Sequence, residues 1–148
     1  MANIWDTAGQ EKMNAISKQF YRGSDGCVIV FDLTDKSSFN DVEKWVDGFL
    51  LHSASNARQI PYILIGNKSD LKEKVVIRKE AIKESVKMNG FIEYFETSAK
   101  EIESVDDAFN YIINKAVETM PVLKPNTSIL TKISLKSQEE RKTKGCCK

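Results

Sequence analysis

The sequence lacks the features of a secreted or membrane-spanning protein. It has three cysteines in 148 residues, too few for a disulfide framework, which favours a reducing compartment. No apolar run approaches the ~18 residues that a bilayer-spanning helix requires. The first six residues have neither a basic nor an apolar region, so we expect no secretory signal. What remains, 41% hydrophobic and 29% charged residues, is typical of one globular domain.

Charge divides the chain into two parts. Residues 1–120 hold 15 Lys and Arg against 19 Asp and Glu, a net charge of −4, whereas residues 121–148 hold 7 against 2, a net charge of +5. A mildly acidic body does not indicate a nucleic-acid-binding domain, and a basic tail suits an anionic surface. We therefore predict a domain over residues 1–120 and a flexible basic tail over residues 121–148.

Strand-like and helix-like segments alternate along the domain. Apolar runs rich in β-branched residues occupy 27–33, 62–66 and 91–95, which favours parallel strands buried on both faces. Amphipathic helices are predicted after Ser38, over 78–89 with Gly90 as the stop, and from Ser104. Ser38 with Asp41 and Ser104 with Asp107 have the form of capping boxes. The fold class is therefore α/β with a mostly parallel sheet.

The first polar motif is Asp-Thr-Ala-Gly-Gln at residues 6–10. An acid at the end of a strand, here Asp6, can bind a metal, directly or through water. A glycine such as Gly9 lets a backbone N–H approach a phosphate closely, and Gln10 just beyond it can orient a water. Each of these features alone is weak evidence for a binding site, because a segment of this composition usually forms only a turn.

Two more polar motifs follow predicted strands: Asn67-Lys68-Ser69-Asp70 and residues 96–100, Glu-Thr-Ser-Ala-Lys. A carboxylate such as Asp70 can accept two parallel N–H bonds from a guanine edge, and it rejects adenine, which leaves the acid unpaired. The stem of Lys68 can lie across a flat base, and the small residues of the last motif let backbone N–H groups reach a base carbonyl. Both segments also fit ordinary polar loops.

Together these motifs resemble the Ras-like small GTPases. Phe-Tyr-Arg-Gly at 20–23 and the adjacent C-terminal cysteines are similar to the Rab family, and segments 20–32 and 49–55 are most similar to its late-endosomal and vacuolar branch. The resemblance covers residues 2 to about 120 and the tail. It implies a P-loop NTPase-type sheet flanked by helices, GTP or GDP and Mg²⁺ as ligands, and GTP hydrolysis in vesicle and endosomal trafficking.

The resemblance also implies a role for each matching residue. Gln10 positions the attacking water, Gly9 donates its N–H to the γ-phosphate, and Asp6 contacts Mg²⁺ through water. Residues 9 to about 24 form the second switch. The residues implied to contact guanine are Asn67, Lys68, Asp70, Ser98, Ala99 and Lys100. Those implied to contact effectors are Trp5 and Phe20, and those implied to carry prenyl groups are Cys146 and Cys147.

The implied partners follow from the same family. They are guanine nucleotide, exchange factors, GTPase-activating proteins, effectors, an escort protein, a prenyl transferase and a membrane that the prenylated tail binds. Nucleic acid is not among them. Two prenyl chains with nearby lysines supply the two signals that stable anchoring needs. The implied location is the cytosol and the cytosolic face of endomembranes, at the late endosome, vacuole or lysosome.

One expected motif does not occur in these 148 residues: the phosphate-binding Gly-x-x-x-x-Gly-Lys-[Ser/Thr], and with it the first switch. We therefore expect an N-terminally incomplete domain, with residues 2–6 as a strand and exposed apolar surface at Val28, Val30 and Leu33. We also expect marginal stability, weak nucleotide binding and no hydrolysis by this polypeptide. An alternative is a nucleotide-free, prenylated binding module that titrates Rab effectors or escort proteins.

Overall fold

The computed structural model describes residues 2–7, 21–53 and 60–120. Three strands form a parallel sheet in the order β1-β2-β3, so that β2 is the central strand. The predicted α/β fold, a parallel sheet flanked by helices, is confirmed. The elements in chain order are β1 (Cys27–Asp32), α1 (Lys36–Asn40), α2 (Val42–Ser53), β2 (Tyr62–Asn67), a 3₁₀ turn (Lys72–Lys74), α3 (Lys79–Asn89), β3 (Tyr94–Glu96) and α4 (Ile102–Thr119).

Apolar side chains cover both faces of the sheet. On one face, residues of β1 and β2 pack with α2 and α3; the buried members include Ile29, Phe31, Leu64, Val42, Val46 and Ile82. On the other face, α4 packs on the centre of the sheet; the buried members are Ile63, Ile65, Ala108 and Ile112. The strands are apolar along their length because they lie between two layers of helix, as their uninterrupted apolar runs predicted.

The first helix starts earlier than predicted. Asp35, not Ser38, is the N-terminal cap of α1, and its carboxylate accepts a hydrogen bond from the backbone N–H of Ser37 at 2.9 Å. Ser38 lies inside the helix, and its hydroxyl donates to the carbonyl of Asp35 at 2.8 Å. The predicted capping box at Ser38 is therefore wrong. Asp35 takes this role because it is among the best capping residues and comes first after the turn that ends β1.

The capping box predicted at Ser104 is also wrong. The α4 helix begins at Ile102, after Glu101, so Ser104 lies in its first turn. The Ser104 hydroxyl accepts a hydrogen bond from the backbone N–H of Ser98 at 3.2 Å and donates to the carbonyl of Glu101 at 2.8 Å. It thus ties the loop after β3 to the start of α4, a tertiary contact that local spacing does not encode.

The segment between α3 and β3 agrees with the sequence only in part. Gly90 ends α3 in the left-handed conformation, with φ of 74°, as predicted. The predicted strand over 91–95 is shorter: β3 starts at Tyr94. Phe91 is instead buried in the core, and the backbone N–H of Ile92 donates to the carbonyl of Tyr62 at 3.1 Å. Phe91 thus packs in the core ahead of β3, while residues 92 and 93 already hydrogen-bond to β2.

The strand predicted over residues 2–6 is not formed, since residues 2–7 have no regular secondary structure. Val30 on β1 is 54% exposed, as predicted, and Val28 is half-buried. Leu33 is only 2% exposed, contrary to the prediction, because its N–H donates to the carbonyl of Asn67 at 3.0 Å and its side chain joins the core. In the part of the chain described here, no helix is long and apolar enough to cross a membrane.

Candidate functional site

The carboxyl ends of the three strands lie along one edge of the sheet. Asp32 ends β1, Asn67 ends β2, and residues 97–100 directly follow β3. In open parallel sheets this edge is where ligands bind. The structure therefore brings two of the three predicted motifs to one place.

The centre of the site is the carboxylate of Asp70. The Ser98 hydroxyl donates to its Oδ1 at 2.8 Å, and Lys100 Nζ donates to its Oδ2 at 2.7 Å. The backbone N–H of Lys100 in turn donates to the Ser98 hydroxyl at 3.2 Å. Ser98 is almost completely buried, and the Asp70 side chain is 19% exposed. The acid is thus fixed from one side and accessible from the other.

These partners also determine the charge of Asp70. The hydrogen bond from Lys100, followed by that from Ser98, holds the pKa of the Asp70 carboxyl below its usual value. The group therefore stays a carboxylate at neutral pH. A carboxylate has about four acceptor positions, and the side chains of Ser98 and Lys100 each occupy one of them. A ligand edge that presents adjacent N–H donors suits the exposed side of the carboxylate, whereas an edge without such donors makes no hydrogen bond there.

A second acid–lysine pair lies beside the first and was not found from the sequence. Lys68 Nζ forms an ion pair with Asp32 Oδ2, and Asp32 Oδ1 accepts from the N–H and the hydroxyl of Thr34 at 2.8 and 2.7 Å. Partial burial raises the pKa of Asp32, but the bonds from Lys68 and Thr34 outweigh it and lower the pKa. The bond from Asp32 raises the pKa of Lys68. The one feature of the sequence that could have indicated this pair is the position of Asp32 at the end of an apolar run, which became β1.

Backbone hydrogen bonds join the loops after β2 and β3. The N–H of Thr97 donates to the carbonyl of Gly66 at 2.9 Å, and the N–H of Ser69 donates to the carbonyl of Thr97 at 3.0 Å. The Thr97 hydroxyl is 3.4 Å from Asn67 Oδ1, and Thr97 is buried. Lys68 has a left-handed backbone with φ of 66°, an uncommon conformation for a residue with a side chain. The two loops therefore form one rigid unit.

The other predicted residues are Trp5, Asp6 and Ala99, which the structure describes, and five that it does not describe. Asp6 is exposed, and Trp5 is 67% exposed, in the segment 2–7. Ala99 is exposed beside Ser98. Gly9, Gln10, Phe20, Cys146 and Cys147 lie outside the described residues, together with most of the predicted second switch.

The metal-ligating side chains among the described residues are not clustered. Over 2–7, 21–53 and 60–120, no group of three or more His, Cys, Asp or Glu side chains is arranged to hold a metal ion. Asp6 is the one predicted contact among them, and the prediction assigned it an indirect contact through water.

Comparison with known proteins identifies the family. Residues 1–118 match the family model of the Ras family. The chain belongs to the Ras family. Within it, the Ypt/Rab-type GTPase ypt7 of Schizosaccharomyces pombe is 43% identical over 119 residues, which are 79% of this chain and 58% of that protein. YPT7 of Saccharomyces cerevisiae is 41% identical over 117 residues, 78% of this chain and 56% of that protein.

The Ras-family chain is a Rab of the late-endosomal and vacuolar branch, as the motifs predicted. Ras-related protein Rab-7a of Paramecium octaurelia is 36% identical over 148 residues, 97% of this chain and 71% of that protein. Of the two yeast relatives, by contrast, the chain spans less than two thirds of the length. Membership implies guanine nucleotide, Mg²⁺ and regulatory proteins as general ligands and partners of the family. It favours the GTPase interpretation over the nucleotide-free binding module.

Proposed function

We propose that this chain carries the guanine-recognising part of a Rab-type GTP-binding switch. The supporting observation is the Asp70 carboxylate, which Ser98 and Lys100 fix at the carboxyl edge of the sheet and which is 19% exposed. Guanine presents N1–H and its 2-amino group side by side, so it matches this acid with two parallel hydrogen bonds. Adenine has no such pair of donors, so it covers the exposed side of the carboxylate without forming hydrogen bonds to it.

The other residues of the two loops have supporting roles in this proposal. Asn67 aligns the loops through its contact with Thr97. Lys68 lies with its stem across the base while Asp32 holds its ammonium group. Ala99, with its small side chain, lets the backbone of its loop approach the base carbonyl. Each proposed role depends on a contact or position in the described structure, and a substitution of the residue concerned tests that role separately from the others.

In the whole protein we propose the full cycle of a GTPase. Gln10 positions the attacking water, Gly9 contacts the γ-phosphate, and Asp6 is the metal contact through water. The protein binds GTP, hydrolyses it to GDP and exchanges partners in endosomal trafficking. Exchange factors, GTPase-activating proteins and effectors act on it, with Trp5 and Phe20 on the effector surface.

We also propose that the tail attaches the protein to membranes. Cys146 and Cys147, prenylated by a transferase with the help of an escort protein, anchor it with the nearby basic side chains. The Rab7 and Ypt7 relatives support the cytosolic face of the late endosome, vacuole or lysosome as the location. Mass spectrometry of the protein from its native cells tests this proposal, since unmodified cysteines contradict it.

The affinity of the 148-residue polypeptide itself is expected to be low. Its sequence does not contain the Gly-x-x-x-x-Gly-Lys-[Ser/Thr] motif, whose amides and lysine make charge-assisted bonds to phosphates. Each such bond contributes about 1.5–3 kcal/mol, so several of them correspond to many powers of ten in affinity. We therefore expect base-specific binding in the millimolar range and no measurable GTP hydrolysis by this polypeptide.

The test is a titration of the ¹⁵N-labelled chain with GMP, IMP and AMP, followed by NMR chemical shifts. IMP keeps the 6-keto group and lacks the 2-amino group, so it isolates one of the two hydrogen bonds to Asp70. We expect affinity in the order GMP, IMP, AMP, with the shifts centred on the backbone of residues 67–70 and 98–100. Asp70→Ala is expected to weaken GMP binding by about tenfold or more.

The matched control is Asp106→Ala, which removes an exposed acid of α4 instead of the Asp70 carboxylate. This variant is expected to bind GMP as the parent does. Equal affinities for GMP and AMP contradict the proposal. So does an Asp70→Ala chain that keeps the GMP affinity of the parent.

A further inference from the structure

A groove lies at the opposite edge of the sheet from the guanine-binding loops. Its volume is about 320 Å³. It is bounded by the start of β2, the segment before β3 and the last two turns of α4. The residues that line it are Ile60, Pro61, Tyr62, Gly90, Ile92, Tyr111, Lys115 and Thr119.

The groove is largely apolar, and the polar groups of Tyr62 and Lys115 at its wall have partners within the domain. The Tyr62 hydroxyl donates to the carbonyl of Asn89 at 2.7 Å. Lys115 Nζ donates to Glu118 at 2.8 Å and lies 5.9 Å from the ring centre of Tyr111. What faces the groove is therefore ring and aliphatic surface, which favours an apolar occupant over an anion.

The chain itself leaves α4 at the rim of this groove. Thr119, the last residue of α4, lines the groove, and Met120 has an extended backbone with φ of −63° and ψ of 134°. Pro121 follows, and a proline favours this conformation in the residue before it. The residues after Met120 therefore begin beside the groove.

The side chains that follow Pro121 in the sequence are apolar, as a groove with apolar walls requires. Val122 and Leu123 are the only large apolar residues between Met120 and Ile129. An extended chain spans at most about 3.6 Å per residue, so Leu123 reaches up to about 11 Å from Met120. This distance is long enough for Leu123 to reach the groove, because Thr119 already lines it. Ile129 and Leu130 are separated from it by a polar segment.

We infer that Val122 and Leu123 dock into this groove and fix the direction in which the tail leaves the domain. Docking covers the exposed part of Ile92, which is 40% exposed in the described structure, and the rings of Tyr62 and Tyr111. The tail then starts at the edge of the sheet away from the guanine-binding loops. A membrane-bound tail therefore leaves the nucleotide end accessible to partners. The inference is independent of nucleotide binding.

The test uses the full chain with ¹³C-labelled methyl groups. We expect nuclear Overhauser effects between the Leu123 methyls and the Tyr111 ring. Leu123→Asp is expected to abolish them and to shift the Ile92 δ1 methyl resonance at least fivefold more than the control Leu130→Asp does. Both substitutions lie beyond the packed elements, so they leave the fold intact.

A groove-side variant completes the test. Ile92→Ser is expected to shift the Leu123 methyls and leave the Leu130 methyls unchanged. The inference is overturned if Leu123 has no contact with the groove, or if Leu123→Asp and Leu130→Asp shift Ile92 equally. Contacts seen only between differently labelled chains in a mixed sample also overturn it, since the occupant is then a second copy.

Discussion

One added methyl group at Gly66 tests how tightly the sheet is packed beneath the loop that follows β2. Gly66 lies in β2, one residue before the loop, and is buried. A Cβ there would lie 2.6 Å from Tyr94 Oη, 3.0 Å from Leu33 Cδ2 and 3.1 Å from Phe31 Cζ. The tyrosine hydroxyl can move, but Leu33 and Phe31 are each only 2% exposed and packed on all sides. We expect Gly66→Ala to lower the free energy of unfolding by about 1–3 kcal/mol.

Gly48 provides a matched control for the same substitution. It lies in the interior of α2, and a Cβ added there meets no atom within 4 Å. Alanine loses less conformational entropy than glycine in a helix, so Gly48→Ala is expected to raise the free energy of unfolding by about 0.5–1 kcal/mol. The same chemical change thus has opposite signs at two positions, and the variants differ by about 1.5–4 kcal/mol.

The assay is urea unfolding followed by tryptophan fluorescence. Trp45 packs against the core cluster and reports its loss, whereas Trp5 is already exposed. A shift of the midpoint at constant m value gives the change in stability. An osmolyte such as TMAO lengthens the native baseline if the parent is marginally stable. A Gly66→Ala chain as stable as the parent, or two variants with shifts of the same sign, refutes the reasoning.

Three further outcomes are expected. Lys100→Met should raise the pKa of Asp70 toward its usual value in a ¹³C NMR titration, and an unchanged pKa contradicts the hydrogen bond assigned to it. Asp32 and Asp70 have lowered pKa values, so their stabilisation is complete above the ordinary carboxyl pKa of about 4 and is lost as the pH falls through the folded values. Urea midpoints between pH 5 and 2.5 should therefore fall, and less so in an Asp32→Asn, Asp70→Asn chain. Gly90→Ala should cost about 1–2 kcal/mol in thermal unfolding, because φ is 74° and a Cβ would lie 2.9 Å from Tyr62 Oη.

Periodicity and order of elements were sufficient to predict the fold class. The apolar runs predicted the positions of β1 and β2, because a strand buried on both faces has an uninterrupted apolar sequence. Gly90 marked the end of α3 because a left-handed residue after a helix is a local requirement. Signals of this kind depend on a residue and its immediate neighbours, so they can be read from one sequence.

Helix starts and strand length could not be predicted because tertiary contacts decide them. Ser104 has the spacing of a helix cap, yet its hydroxyl holds the loop at Ser98. Phe91 belongs to an apolar run, yet its ring enters the core ahead of β3. The segment 2–6 reads as a strand, but a strand requires a paired neighbour, and within the described sheet it has none.

The predicted site was incomplete for a related reason. The motifs identified Asp70, Ser98 and Lys100 as neighbours of one base, and the structure brings their side chains together. Asp32 was missed because it belongs to no motif, and only the parallel register of β1 and β2 places it opposite Asn67 and next to Lys68. Register is a property of the sheet, which the sequence of one strand does not contain.

The two acid–lysine pairs join neighbouring loops at the carboxyl edge of the sheet, and their lysines are exposed. Asp32 with Lys68 joins the end of β1 to the loop after β2, and Asp70 with Lys100 joins that loop to the one after β3. The side chain of Lys68 is 52% exposed and that of Lys100 is 76% exposed, and ion pairs in such positions add little to folding stability. Their effect is therefore geometrical. They connect three strand ends in series and hold the Asp70 carboxylate and the stem of Lys68 in place. In the proposed function, this arrangement reduces the entropy that binding of a base must overcome.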